Sequence, residues 1–284
     1  MKMGNKSNGI LQAVVLSCLL SGVAGFATAD DHGASGKPGG GDHATGSTAH
    51  WGYEGETGPS RWGALGFATC STGKNQSPID LMNASDSILD PLQFSYQAAS
   101  VSVVNNGHTI QFNVPAGSSM TVGGKKFTLL QFHFHSSSEH TVQGKSYPME
   151  LHLVHKADDG ELAVVGVLLT ERAANGEGGA ANPTLQTVFD NLPEKSGQPQ
   201  TVNTQITPAA LLPSGQSYFH YKGSLTTPPC TEGVNWFVMR EPVGIEKSQL
   251  IKFTSIYANN ARPPQPQNSR NLLGRSSETS DGKH

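Results

Sequence analysis

The stretch Gln131-Phe132-His133-Phe134-His135 constrains this chain most. Polar and aromatic residues alternate with period two, the pattern of a half-buried β-strand. On such a strand Gln131, His133 and His135 share one face, and Leu130, Phe132 and Phe134 share the other. Two imidazoles on one face, two residues apart, can both reach one metal ion. A second strand follows at Glu150-Leu151-His152-Leu153-Val154, with Glu150, His152 and Val154 on one face. The Ser-, Gly- and Pro-rich segment 136–148 can fold it back beside the first. Any single histidine here also reads as a hydrogen-bonded core residue. A His-x-His pair on an aromatic strand is harder to read that way, because burying two imidazoles without partners is costly. Three histidines and no fourth protein ligand is the pattern of a catalytic zinc site, which keeps one position open.

The rest of the composition sets the frame. With 284 residues, 36% hydrophobic and 14% charged, the chain suits one globular domain with a substantial core and loose ends. A net charge of −3 gives no sign of nucleic acid as a partner. The 33 glycines and 17 prolines favour a turn-rich fold over a helical bundle.

Residues 1–29 read as a signal peptide. Lys2 and Lys6 precede a mostly apolar run, and Ala27-Thr28-Ala29 fits a small-residue cleavage site. Gln12, Ser17, Ser21, Gly22 and Gly25 interrupt the run, which weakens a permanent membrane span. Acylation of Cys18 is disfavoured because Cys18 lies inside the apolar run. No membrane attachment is expected after cleavage, and the location expected is periplasmic or secreted. Loss of Cys18 leaves Cys70 and Cys230. Two cysteines in an oxidising compartment invite a disulfide, against the alternative of two free buried thiols.

Residues 30–49 are low in complexity and lack the apolar side chains to order themselves, so they read as a linker. The folded part spans 50–273, with a polar tail at 274–284 and fraying expected from Asn268. Strands are expected at 92–96, 101–105, 109–114, 119–122, 126–135, 150–156, 162–169, 218–223 and 234–239. The Asp158-Asp159-Gly160 turn supports an antiparallel hairpin. Helical spacing appears at 184–192 and 247–257, with a short helix at best from Pro208. The fold class is mainly β: a large twisted, mostly antiparallel central sheet with a few short peripheral helices.

Four features surround the histidines. Gln131 and Glu150 lie one pleat from a ligand on its own face, where a metal-bound imidazole usually gives its second N–H to an amide or carboxylate. Glu139, just past the pair, can orient a hydroxyl. The rigid Gly223-Ser-Leu-Thr-Thr-Pro-Pro-Cys230 turn offers the hydroxyls of Thr226 and Thr227. His108, on an Asn-Asn-Gly-His turn, titrates in the range suited to moving protons unless its surroundings intervene.

Eight segments together resemble the α-class carbonic anhydrases: His-Trp-Gly-Tyr (50–53), Asn-Gln-Ser-Pro-Ile-Asp (75–80), Asn-Asn-Gly-His (105–108), Gln-Phe-His-Phe-His (131–135), Ser-Glu-His-Thr-Val (138–142), Glu-Leu-His-Leu-Val-His (150–155), Gly-Ser-Leu-Thr-Thr-Pro-Pro (223–229) and Asn-Ala-Arg-Pro (260–263). They run in order through nearly the whole folded part. The signal-like start and the cysteine pair look like the exported bacterial branch.

The resemblance implies zinc held by His133, His135 and His152, reversible hydration of CO2 to bicarbonate and a proton, and zinc-hydroxide as the attacking species. It implies that Thr226 accepts a hydrogen bond from that hydroxide and donates one to Glu139, and that Thr227 shapes the site. His108 falls at the proton shuttle, with Tyr53, Asn106 and Gln111 on a water chain. Gln131 and Glu150 match partners of the ligand histidines. Val154, Val164, Leu225, Val234 and Trp236 match an apolar wall for CO2. A homodimer is left open. Ser136-Ser137-Ser138 departs from the Trp-Gly found in many members, and Gln111 stands where many have Asn. The rival reading is a non-catalytic periplasmic zinc-binding protein, which predicts a closed four-ligand site. A zinc protease wants His-Glu-x-x-His, which the sequence lacks.

Overall fold

Period-two alternation does become a sheet. A computed structural model of the chain describes residues 50–172 and 182–276; the signal peptide expected at 1–29, the linker expected at 30–49, residues 173–181 and most of the expected tail lie outside the described residues. The strands are β1 (Ser85–Asp86), β2 (Gln93–Ser95), β3 (Ser102–Asn105), β4 (Ile110–Asn113), β5 (Ser119–Val122), β6 (Lys125–His135), β7 (Met149–Lys156), β8 (Leu162–Glu171), β9 (Gln200–Thr201), β10 (Tyr218–Ser224), β11 (Glu232–Met239), β12 (Val243–Ile245) and β13 (Leu273–Arg275). They form one sheet in the order β1-β13-β10-β11-β8-β7-β6-β4-β3-β9, with β12 beside β8 and β2 joined to β6 through β5. Most pairs are antiparallel. The β11–β8, β12–β8 and β1–β13 pairs are parallel, so the sheet is mixed.

The β7–β8 hairpin forms at the expected turn, where Gly160 adopts φ +91°. That left-handed conformation suits glycine. β6 and β7 pair antiparallel, placing His133 directly opposite His152.

The two faces of the sheet have different neighbours. One carries Phe112, Phe132, Phe134, Leu151 and Leu153 into the main core. The helices α2 (Pro183–Asp190) and α3 (Lys247–Thr254) cover it, with Phe134 5.4 Å from Phe189 and 6.1 Å from Phe253 between ring centroids. Asn182 caps α2, its Oδ1 accepting from the N–H groups of Thr184 and Leu185. Glu246 and Gln249 form a capping box on α3. α2 buries Leu185, Val188 and Phe189 and α3 buries Phe253, and such packing stabilises short helices more than propensity does. A third helix, α1 (Thr69–Thr72), presents Cys70.

Leu130 departs from the expected alternation. The β6–β7 register shifts between Leu129 and Gln131, so Leu130 is the extra residue of a bulge and only half-buried. Leu129 takes the core place instead. Fraying from Asn268 does not occur either. Leu272 is buried and β13 pairs with β10 and β1, so the sheet continues past 273.

Candidate active site

The three histidines of the sequence pattern converge. Their ring centroids lie 5.0 Å (His133–His135), 5.3 Å (His133–His152) and 4.6 Å (His135–His152) apart. One ring nitrogen from each comes within 4.8 Å of the others. The remaining nitrogens are tied elsewhere. His133 Nδ1 lies 2.8 Å from Gln131 Oε1, His135 Nδ1 lies 2.7 Å from the Asn260 carbonyl, and His152 Nε2 lies 2.9 Å from Glu150 Oε1. These contacts fix ring orientation.

Burial lowers the pKa of all three, that of His135 to about 4, so they stand neutral. His135 Nε2 is buried and meets no hydrogen-bonding partner. An unsatisfied buried nitrogen beside two other neutral imidazoles fits a zinc ion and is costly without one.

Glu150 is the hub behind the three histidines. Its Oε2 accepts from the N–H of Glu139 (2.9 Å) and of His140 (2.8 Å), and its Oε1 lies 2.7 Å from His140 Nδ1. Burial alone would raise its pKa. The fields and hydrogen bonds of His140 and His152 outweigh burial and hold it well below the usual carboxylate range. His140 continues through Tyr221 (2.7 Å) to Ser77 (2.8 Å), whose Oγ accepts from the Ser224 N–H (3.0 Å).

Glu139 is fully buried. Its Oε1 accepts from the Arg262 N–H at 2.8 Å. Burial raises its pKa to about 7, while His152, the Arg262 N–H and the Thr226 hydroxyl pull it down. Thr226 is thus an electrostatic neighbour of Glu139, although no hydrogen bond of ordinary geometry reaches Oε2. Thr226 and Thr227 sit on the loop after β10, closed by the Cys230 N–H on the Thr227 carbonyl (2.9 Å) and by the Cys70–Cys230 disulfide.

An apolar wall adjoins His152. Val154, Val164 and Trp236 are register neighbours across β7, β8 and β11. They pack with Leu225 and Val234, and the Trp236 ring lies 4.9 Å from His152.

On the other side His108 lies half-buried over Trp51. Asn106 Oδ1 accepts from the N–H groups of His108 (3.0 Å) and Thr109 (2.9 Å), so this side chain builds the turn. Gln111 sits opposite His133 in register but donates to Asn113 (2.6 Å). The Tyr53 hydroxyl is buried without a partner, and burial, with Glu139 nearby, raises its pKa well above 10.

Sequence reasoning assigned no role to Trp51, His140, Tyr221, Asn260 or Arg262. The buried Arg262 guanidinium donates to the Cys70 carbonyl (2.7 Å), the Ser77 carbonyl (2.8 Å) and Gln76 (2.9 Å). The Asn-Ala-Arg-Pro segment was a visible signal, but its contacts lie far away in the chain.

A large mixed sheet carries three tied imidazoles beside an apolar wall, a cluster whose ring nitrogens could hold a metal ion. The family model for eukaryotic-type carbonic anhydrase matches residues 57–276. A carbonic anhydrase from Pectobacterium carotovorum is 44% identical over 230 residues, covering 80% of this chain and 91% of the relative. One from Nostoc is 44% identical over 238 residues, covering 81% and 88%. The α-carbonic anhydrase of Thermovibrio ammonificans, solved with the inhibitor sulfanilamide, superposes with a TM-score of 0.75 at 44% identity, covering 79% of this chain and 99% of that one. The chain belongs to the α-class, or eukaryotic-type, carbonic anhydrase family, whose activity is the hydration of carbon dioxide, and is an enzyme of that family.

Proposed function

We propose that the chain hydrates CO2 reversibly to bicarbonate and a proton at a zinc ion held by His133, His135 and His152, outside the cytoplasm. The observation that carries this is the convergence of three neutral imidazoles, His135 and His152 buried and His133 partly so, beside an apolar wall. Zinc, when bound, supplies a water acidified enough to serve as nucleophile near neutral pH.

The chain's own residues do the rest. Gln131, the Asn260 carbonyl and Glu150 hold the ligand rings in place. Glu139 accepts a hydrogen bond from the Thr226 hydroxyl, which leaves the Thr226 oxygen turned toward the nucleophile as an acceptor. That is a positioning effect. Thr227 shapes the mouth. Val154, Val164, Leu225, Val234 and Trp236 hold CO2, which has neither charge nor dipole to favour water. His108 takes up the released proton and passes it to buffer, along water held by Tyr53 and Gln111. Asn106 keeps His108's turn in shape.

Residues 1–29 and the Cys70–Cys230 disulfide support export to an oxidising compartment.

Stopped-flow CO2 hydration by the mature protein tests the reading, before and after stripping metal with a strong chelator and adding zinc back. Activity that vanishes and returns with zinc is the expected result. Stoichiometric zinc without hydration would put a zinc-binding role first.

A further inference from the structure

One residue touches both the ligand strand and the turn that carries His108. Asn260 is fully buried and spends every polar group it has. Its carbonyl receives His135 Nδ1 (2.7 Å), and its Oδ1 receives the Ser136 N–H (2.8 Å). Its own N–H donates to the Ser136 carbonyl (2.9 Å). Its Nδ2 donates to the Phe134 carbonyl (3.0 Å) and to the His108 carbonyl (3.1 Å). His135 is therefore gripped before, at and after its ring, and the same amide reaches the His108 backbone.

We propose that Asn260 is a positioning residue that fixes the proton acceptor His108 relative to the ligand His135; this rests on the roles given to those two residues above. The chemistry explains the residue type. Only a short amide offers one acceptor and two donors in this fork. Asp lacks the donors and would face two carbonyls with its charge. Leu would leave the Ser136 N–H and the His108 carbonyl without these bonds, each a costly loss when buried.

The experiment uses the zinc-loaded protein and Asn260→Ala, each with and without His108→Ala. Three quantities are measured: CO2 hydration in weak buffer with and without added imidazole, the rate of zinc release to a chelator, and the melting temperature. Asn260→Ala is expected to cut weak-buffer turnover about tenfold and to speed zinc release about tenfold, the scale on which partners of metal ligands act. Imidazole restores most of the turnover, and the loss disappears in the His108→Ala background. A lower melting temperature with unchanged zinc release, and equal turnover losses in both backgrounds, would overturn the proposal. Should Asn260→Ala not fold, Asn260→Ser, which keeps a short polar group, is read in the same way. If His108→Ala by itself leaves turnover unchanged, the reading of His108 fails. Zinc release then decides Asn260's hold on His135, and an unchanged rate refutes it.

Discussion

The imidazole of His108 lies flat on the indole of Trp51, with centroids 3.6 Å apart and planes within 6°. Trp51 is itself fixed edge-on by Tyr53 (5.6 Å) and Trp62 (5.3 Å). Burial, with a smaller push from His50, lowers the His108 pKa to about 4. A base that weak is poorly matched to a proton released near neutral pH. In the stacked position His108 is therefore a poor acceptor, and leaving the stack restores its basicity. Trp51→Ala should raise its pKa toward the ~6.5 of a free imidazole. An NMR titration of the His108 ring reads this directly. A value still near 4 would place the burial elsewhere than in Trp51.

Gly166 faces His152 across the β7–β8 ladder. A Cβ there would lie 2.9 Å from Glu150 Oε1 and 3.4 Å from Val238. Glu150 has little freedom to yield, since its two oxygens hold His152, His140 and two backbone N–H groups. Gly166→Val should push Glu150 off His152 and speed zinc release about tenfold. Chelator-trapped release rates decide it. A rate equal to that of the parent would mean that Val238 moves and Glu150 does not.

The Cys70–Cys230 disulfide spans 160 residues and anchors the loop of Thr226 and Thr227. The chain-entropy account gives such a closure ~5 kcal/mol. The paired Cys70→Ser, Cys230→Ser variant should melt far below the parent and lose turnover as Thr226 drifts from Glu139. Thermal melts with and without reductant test this. If the melt does not move, the bonds from Arg262 to the Cys70 carbonyl and from Gln76 to the Cys230 carbonyl hold the loop ends unaided.

The convergence of His133, His135 and His152 was legible because side-chain direction on a strand follows sequence parity. His133 and His135 had to share a face, and Gln131 and Glu150 had to sit beside them. The β7–β8 hairpin was legible because Gly160 marks a local turn. Asn260 and Arg262 were not, because their partners lie 125 and 123 residues away. Side chains at that range are brought together by topology, which periodicity does not encode. The parallel β8–β11 pairing was hidden for the same reason. Leu130 misled because a bulge shifts register without leaving a gap in the apolar pattern. β13 was missed because three residues carry no period, and its place comes from backbone pairing with β10.

A histidine outside the site contributes to acid stability. His155 is buried in β7, with the Tyr96 hydroxyl 2.6 Å from its Nε2. Burial lowers its pKa to about 4, from about 6.5 in an unfolded chain. Between those values the unfolded chain binds the proton and the folded one does not, so stability falls as pH drops from 6.5 toward 4. The full loss is ~3 kcal/mol at 1.36 kcal/mol per pH unit. Below pH 4 both states are protonated and this contribution levels off. His155→Gln keeps an acceptor for Tyr96 and cannot titrate. Denaturant unfolding of parent and variant at pH 7 and at pH 4 should show the parent losing ~3 kcal/mol more. Equal losses would mean that the folded chain protonates His155 as readily as the unfolded one does, with Tyr96 and its surroundings rearranging to admit the charge.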